Sequence, residues 1–144
     1  MTEVCQGPDP NPRPPRITVP PLATDTHFHI LGPPAKYPYV EDREYTPPDA
    51  LSEQCRHLFQ SLHIQRAVLV QPSLYGEDNR CMLESASLLG IPTRNIAVLS
   101  NEVSDNELES LHSSGTRGVR FILAHRGGVP LSQIEPLADR VKPF

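Results

Sequence analysis

The sequence predicts an α/β fold of alternating parallel β/α units. Three observations point there: apolar runs of strand length alternate with amphipathic stretches of helix length, the best strand is apolar without a break, and turn residues separate the units. Alternation of this kind implies parallel strands joined by crossover helices. Four such units suit either an open doubly wound sheet or half of a closed barrel, and the alternation alone does not choose between them.

Residues 1–21 stand apart. Pro8, Pro10, Pro12, Pro14, Pro15, Pro20 and Pro21 remove backbone donors and fix φ, so this stretch is neither regular helix nor central strand. It reads as an extended, loose N-terminal arm. The structured domain then runs over 22–144.

The first strand is expected over 22–30, short and mixed. Residues 31–47 form a long loop with Tyr37, Tyr39, Arg43 and Tyr45, longer than a βα connection needs and of a kind that covers ligands. Pro48, Asp49 and Ala50 open a helix reaching about Leu62, with Leu51, Cys55, Leu58, Phe59 and Leu62 at helical spacing. Ile64 to Val70 is the second strand, and its Ala67-Val68-Leu69-Val70 run is typical of a strand buried on both faces. A polar loop from Gln71 to Gly76 precedes a helix from about Asp78 to Leu89, closed by Gly90 and Pro92. Asn95 to Leu99 is the third strand. Ser104 caps the next helix with Glu107 in capping-box register, and Gly115 stops it. Arg117 to Leu123 is the fourth strand, and Leu131 to Val141 a fourth helix bent near Pro136.

Composition narrows the function. Thirteen Lys and Arg against seventeen Asp and Glu give a formal charge of -4, and no basic patch suited to nucleic acid appears. No apolar run approaches the ~18 residues of a membrane span. Residues 1–21 hold no apolar leader segment. Cys5, Cys55 and Cys81 are odd in number and lack CxxC spacing, so reduced thiols and a cytoplasmic location are expected.

The sharpest chemical feature is Asp25-Thr26-His27-Phe28-His29. On a strand, positions i and i+2 share a face, so His27 and His29 project together and can bind one metal ion through imidazole nitrogens. Two such histidines in an arbitrary protein are more often plain polar positions; the end of a first parallel strand is where they become a site. In the loop after the second strand, Ser73, Tyr75 and Asn79 are neutral groups able to orient a polar substrate, while Asp78 or Asn79 could equally cap the following helix. Arg120, late in the fourth strand, and Arg126, beyond it, can hold carboxylates bidentately; a surface or salt-bridge role is the alternative for each. Arg117 reads as structural. His57, His63 and His112 fall on helices or helix ends and read as solvated, and His125 has no evident partner.

Taken together, "TDTHFHILGP", "YPY", "DREYTPPDA", "QPSLYGEDN" and "TRGVRF" resemble, in order and spacing, the amidohydrolase-related family, in particular its 2-pyrone-4,6-dicarboxylate lactonase branch. The resemblance covers about 22–144. It implies a TIM-type (β/α)8 barrel, of which this chain is the N-terminal half, since a whole barrel needs ~250 residues. It implies water attack on the ring ester of a carboxylated lactone, of the pyrone dicarboxylate, sugar lactone or muconolactone type. By the same resemblance His27 and His29 are the catalytic pair and the metal ligands where a divalent ion such as zinc is bound, or act on substrate directly where none is. Tyr45, Ser73 and Tyr75 match substrate contacts, and Arg120 and Arg126 match arginines that engage substrate carboxylates. The family's middle-strand histidine and last-strand catalytic aspartate match no position here. The expected partner is therefore a small carboxylated molecule, and the 144-residue product is expected to be inactive alone and poorly soluble or partly unfolded. A catalytically silent α/β binding module and an amidohydrolase-type decarboxylase are the competing readings; the "QPSLYGEDN" loop and the paired arginines favour the lactonase branch over the decarboxylase.

Overall fold

The computed structural model describes residues 3–123 and 129–144. The main sheet has four parallel strands, β2 (Thr24–Phe28), β4 (Arg66–Val70), β5 (Thr93–Ala97) and β6 (Thr116–Val119), in the order β2-β4-β5-β6. Helices α1 (Ser52–Leu62), α2 (Arg80–Leu88) and α3 (Asp105–Ser113) connect them, and α4 (Ile134–Val141) follows. Each expected element is present, with ends displaced by a few residues. The third strand begins at Thr93 and the fourth already ends at Val119.

Strand order decides between the two architectures that alternation leaves open. A doubly wound sheet reverses its order at a switch point and carries helices on both faces. Here each strand is added on the same side of the previous one. All four helices send side chains to one cluster, including Cys55 from α1, Met82 from α2, Leu108 and Leu111 from α3 and Leu137 from α4. Ala97 and Leu69 of the sheet join that cluster. Val98 instead packs with Ile122 and Val129 in a second, smaller one. Helices on one face and sequential strands are the plan of a (β/α)8 barrel wall.

The helices start and stop for local reasons. The Gln54 side chain returns to accept from the Leu51 N–H at 2.7 Å, and α1 therefore begins at Ser52 rather than in the Pro48–Ala50 stretch. His63, at φ 58°, ends it. Ser104 Oγ accepts from the Glu107 N–H at 3.2 Å, as its capping position predicts. Pro136 lies in the first turn of α4, where its missing N–H costs nothing, after a 3-10 turn at Leu131–Gln133.

The arm is more engaged than its composition suggests. Glu3–Val4 (β1) pairs in parallel with Tyr45–Thr46 (β3), and the Cys5 N–H donates to the Thr46 carbonyl at 3.4 Å. Pro8 and Asp9 roof a cavity of about 210 Å3 between β2 and α1. The reading of a loose tail is thus corrected at its start: backbone pairing needs no particular side chains, so composition does not announce it. No helix among the described residues is long and apolar enough to cross a membrane.

Candidate active site at the strand ends

Because the four strands are parallel, their C-terminal ends share one edge of the sheet. The residues that immediately follow them are His29, Gln71, Val98 and Arg120.

His27 and His29 lie together as their spacing predicts, with ring centroids 5.2 Å apart and planes at 81°. The local backbone departs from a plain strand. Asp25 pairs with Ala67 and Phe28 with Leu69, so β2 spends one residue more than β4 between these pairs. This bulge places Asp25 on the same face as Phe28, and Phe28 stacks edge-on against Phe59 of α1 at 5.0 Å. Asp25 therefore lies toward α1, where it lines one cavity with Phe28 and His29. Its carboxylate accepts from the His27 N–H at 3.0 Å, pinning the bulge.

His29 Nδ1 donates to the Val70 carbonyl at 2.7 Å. A carbonyl can only accept, so Nδ1 carries the proton and Nε2 keeps its lone pair. Burial holds the His29 pKa below the usual imidazole value, against the raising effect of the Val70 carbonyl; the charges of Arg120 and His27 push the same way as burial. The ring is thus neutral at pH 7 and presents a free base nitrogen.

Arg120 reaches the same place from β6. Its Nη1 donates to the Gln71 carbonyl at 2.7 Å. Burial lowers the guanidinium pKa, opposed by nearby Tyr45. An arginine remains charged through such a shift. No carboxylate among the described side chains forms an ion pair with it. His29, Arg120 and Tyr45 are therefore gathered around one strand end, and no carboxylate among the described residues neutralises this half-buried cation.

The other predicted contacts are placed differently. Tyr75 is only 2% exposed. Its hydroxyl accepts from the Gly32 N–H at 3.0 Å and its ring lies 5.4 Å from that of Tyr39. Burial drives its pKa far above the ordinary phenol value. Tyr75 ties the loop after β2 to the loop after β4, with its polar end on the Gly32 backbone. Ser73 is buried in the 3-10 turn Ser73–Tyr75. Asn79 stands at the N-cap position of α2 without a side-chain capping bond, and the Asp78 carboxylate accepts from the Arg80 N–H at 3.2 Å instead. Asn79 Nδ2 donates to the Val98 carbonyl at 3.0 Å and its Oδ1 accepts from the Val98 N–H at 3.2 Å, clamping this loop to the end of β5. Arg126 and His125 fall outside the described residues.

Among the described residues no group of three or more His, Cys, Asp or Glu gathers as a metal site. The adjacent imidazoles, with His29 Nε2 unprotonated, fit two positions of a metal's shell. Of the predicted site residues, the cavity under the arm touches only His29, and its walls of Phe28, Leu58 and Phe59 suit packing.

The family model described as amidohydrolase matches residues 24–141. The chain belongs to the amidohydrolase family. That family is generally metal-dependent. The chain is 36% identical over 133 residues to the 2-pyrone-4,6-dicarboxylate hydrolase of Comamonas testosteroni, covering 91% of this chain and 44% of the relative. It is 38% identical over 117 residues to the 4-sulfomuconolactone hydrolase of Hydrogenophaga intermedia, covering 81% of this chain and 39% of the relative. A crystal structure from Acinetobacter baumannii, described as a probable 2-pyrone-4,6-dicarboxylic acid hydrolase with citric acid bound, superposes with TM-score 0.71 at 26% identity. That match covers 84% of this chain and 45% of the other. The chain thus spans under half the length of these relatives, and its sheet is part of an amidohydrolase-type barrel.

Proposed function

We propose that this chain carries the substrate-holding and carbonyl-polarising part of a hydrolase acting on a carboxylated lactone. The observation that carries the reading is the pairing of neutral His29 with half-buried Arg120, which meets no carboxylate among the described residues, on the successive carbonyls of Val70 and Gln71. A fixed guanidinium suits a carboxylate, and holding that carboxylate places the adjacent ring ester over the imidazoles. Two relatives that act on anionic lactones, and a structural neighbour holding a tricarboxylic acid, support the same substrate class.

In the reaction, water oxygen bonds to the lactone carbonyl carbon, the ring C–O bond breaks, and the water proton passes to a base. Arg120 offsets the substrate's negative charge, with Arg126 proposed as its companion. Tyr45 borders the same ligand, and Ser73 bears on it from the loop after β4. His27 and His29 face the carbonyl. A divalent metal such as zinc, when held by these imidazoles, supplies Lewis acidity to that carbonyl. The base that receives the proton corresponds to no described residue of this chain. The partner is a small carboxylated molecule, and three free thiols support a cytoplasmic setting.

The test is titration of the 144-residue chain with 2-pyrone-4,6-dicarboxylate, with NMR following binding and pyrone absorbance following turnover. The expected result is a shift of the His29 and Arg120 side-chain signals with a dissociation constant of about 1 mM, weakened roughly tenfold or more by Arg120→Ala, without turnover. An uncharged pyrone binding equally well, or a dicarboxylate leaving both residues unmoved, would overturn the proposal. So would turnover by the chain alone that His27→Ala abolishes, because the base would then lie within it.

A further inference from the structure

We infer that Gln71 is the positioning residue of this site, orienting His29 and Arg120 together through the two peptide units that meet at its Cα. The inference rests on the proposed use of that pair, although its geometry stands without any substrate.

Gln71 immediately follows β4 and is 0% exposed. Its backbone N–H donates to the Ile96 carbonyl at 2.9 Å, extending the β4–β5 pairing by one residue. Its carbonyl receives Arg120 Nη1, and the carbonyl just before it receives His29 Nδ1. The two acceptors belong to successive peptide units that meet at the Gln71 Cα, so a change in the Gln71 backbone torsions would move one acceptor against the other.

The backbone bond to Ile96 holds the first of these units, and the side chain holds the loop that carries the second. Gln71 Nε2 donates to the Gly76 carbonyl at 3.2 Å and to the Asp78 carbonyl at 2.9 Å. Both partners are acceptors, so the amide cannot be turned over without setting oxygen against oxygen. These bonds fold the loop 72–78 back onto the strand end. Gln71 Oε1 is buried with no partner among the described residues. A buried amide that leaves its acceptor unpaired is costly, so something outweighs that cost here. The glutamine side chain reaches from the strand end to both carbonyls, which accounts for a buried polar residue directly after an apolar strand.

Asn79 provides the control. It also clamps this loop, but to Val98, and it touches neither acceptor carbonyl. A residue that merely stiffens the loop would behave like Asn79.

The experiment reads the His29 tautomer and the Arg120 Nη signals by 1H–15N NMR at pH 7.5 in the full chain without ligand. In the unsubstituted protein His29 is the Nδ1–H tautomer, and Gln71 Nε2 protons exchange with solvent about a hundredfold more slowly than those of an exposed glutamine. Gln71→Met, close in volume, is expected to mix the two His29 tautomers and to merge the Arg120 Nη signals toward free rotation. Asn79→Ala leaves both readouts as they are. An unchanged tautomer and unchanged Nη signals in folded Gln71→Met would overturn the inference. If that variant does not fold, fast exchange of the Gln71 amide in the unsubstituted chain overturns it, and slow exchange supports it. Failure of dicarboxylate binding with these signals intact would sink the proposed function and leave the role of Gln71 standing.

Discussion

At the scale of single residues, chemistry here is set by which partner a polar atom finds. His29 gains a defined tautomer from one carbonyl, and the Tyr75 hydroxyl is held by the backbone of Gly32. Cys55 shows the same rule for a thiol. Burial, aided by the charge of Asp25, pushes its pKa up to about 12. The folded state thus disfavours the thiolate that an unfolded chain forms near its ordinary pKa of 9.0. Stability from this source is complete below pH 9.0 and is lost as pH rises toward 12. At pH 8 the Cys55 thiol should react with iodoacetamide at least about tenfold more slowly in the folded chain than in urea-unfolded chain. Mass spectrometry of the labelled peptides measures this, and equal rates would contradict the assignment.

At the scale of elements, the loop after β4 is a framework more than a contact surface. Gln71, Tyr75 and Asn79 all look outward-facing in sequence because they are polar and sit between turn residues. Each instead satisfies buried backbone: Gly76 and Asp78, Gly32, and Val98. Asn79 makes both of its bonds to Val98 from a side chain only 6% exposed. Removing it leaves a buried N–H and C=O unpaired, so Asn79→Ala should destabilise the chain by about 2 kcal/mol. Urea denaturation checks the figure; a loss under about 0.5 kcal/mol would mean that water replaces the clamp.

At the scale of the whole molecule, the sheet has two strands with an open side. Among the described residues β2 pairs only with β4, and β6 only with β5, within the main sheet. Open parallel edges template further pairing. Exposed Leu22 and Leu123, beside the start of β2 and beyond the end of β6, add apolar surface near those edges. The 144-residue polypeptide, made as it stands, should self-associate in a concentration-dependent way, seen by size-exclusion chromatography with light scattering. A monomer that melts cooperatively across the same concentrations would count against this.

The sequence by itself determined the alternation of units, the parallel sheet, the adjacency of the two histidines and the place of Arg120 at a strand end. Each of these is a local matter: periodicity along the chain, and residue type at the end of an apolar run. The tertiary structure alone decided that the sheet is a barrel wall, because that turns on strand order and on which face receives the helices. It also decided that a bulge sets Asp25 toward α1, that the arm pairs with the Tyr45 strand, and that Tyr75 and Asn79 serve the backbone. Such outcomes depend on where distant carbonyls and N–H groups come to lie, and a polar side chain carries no mark of which of them it will meet.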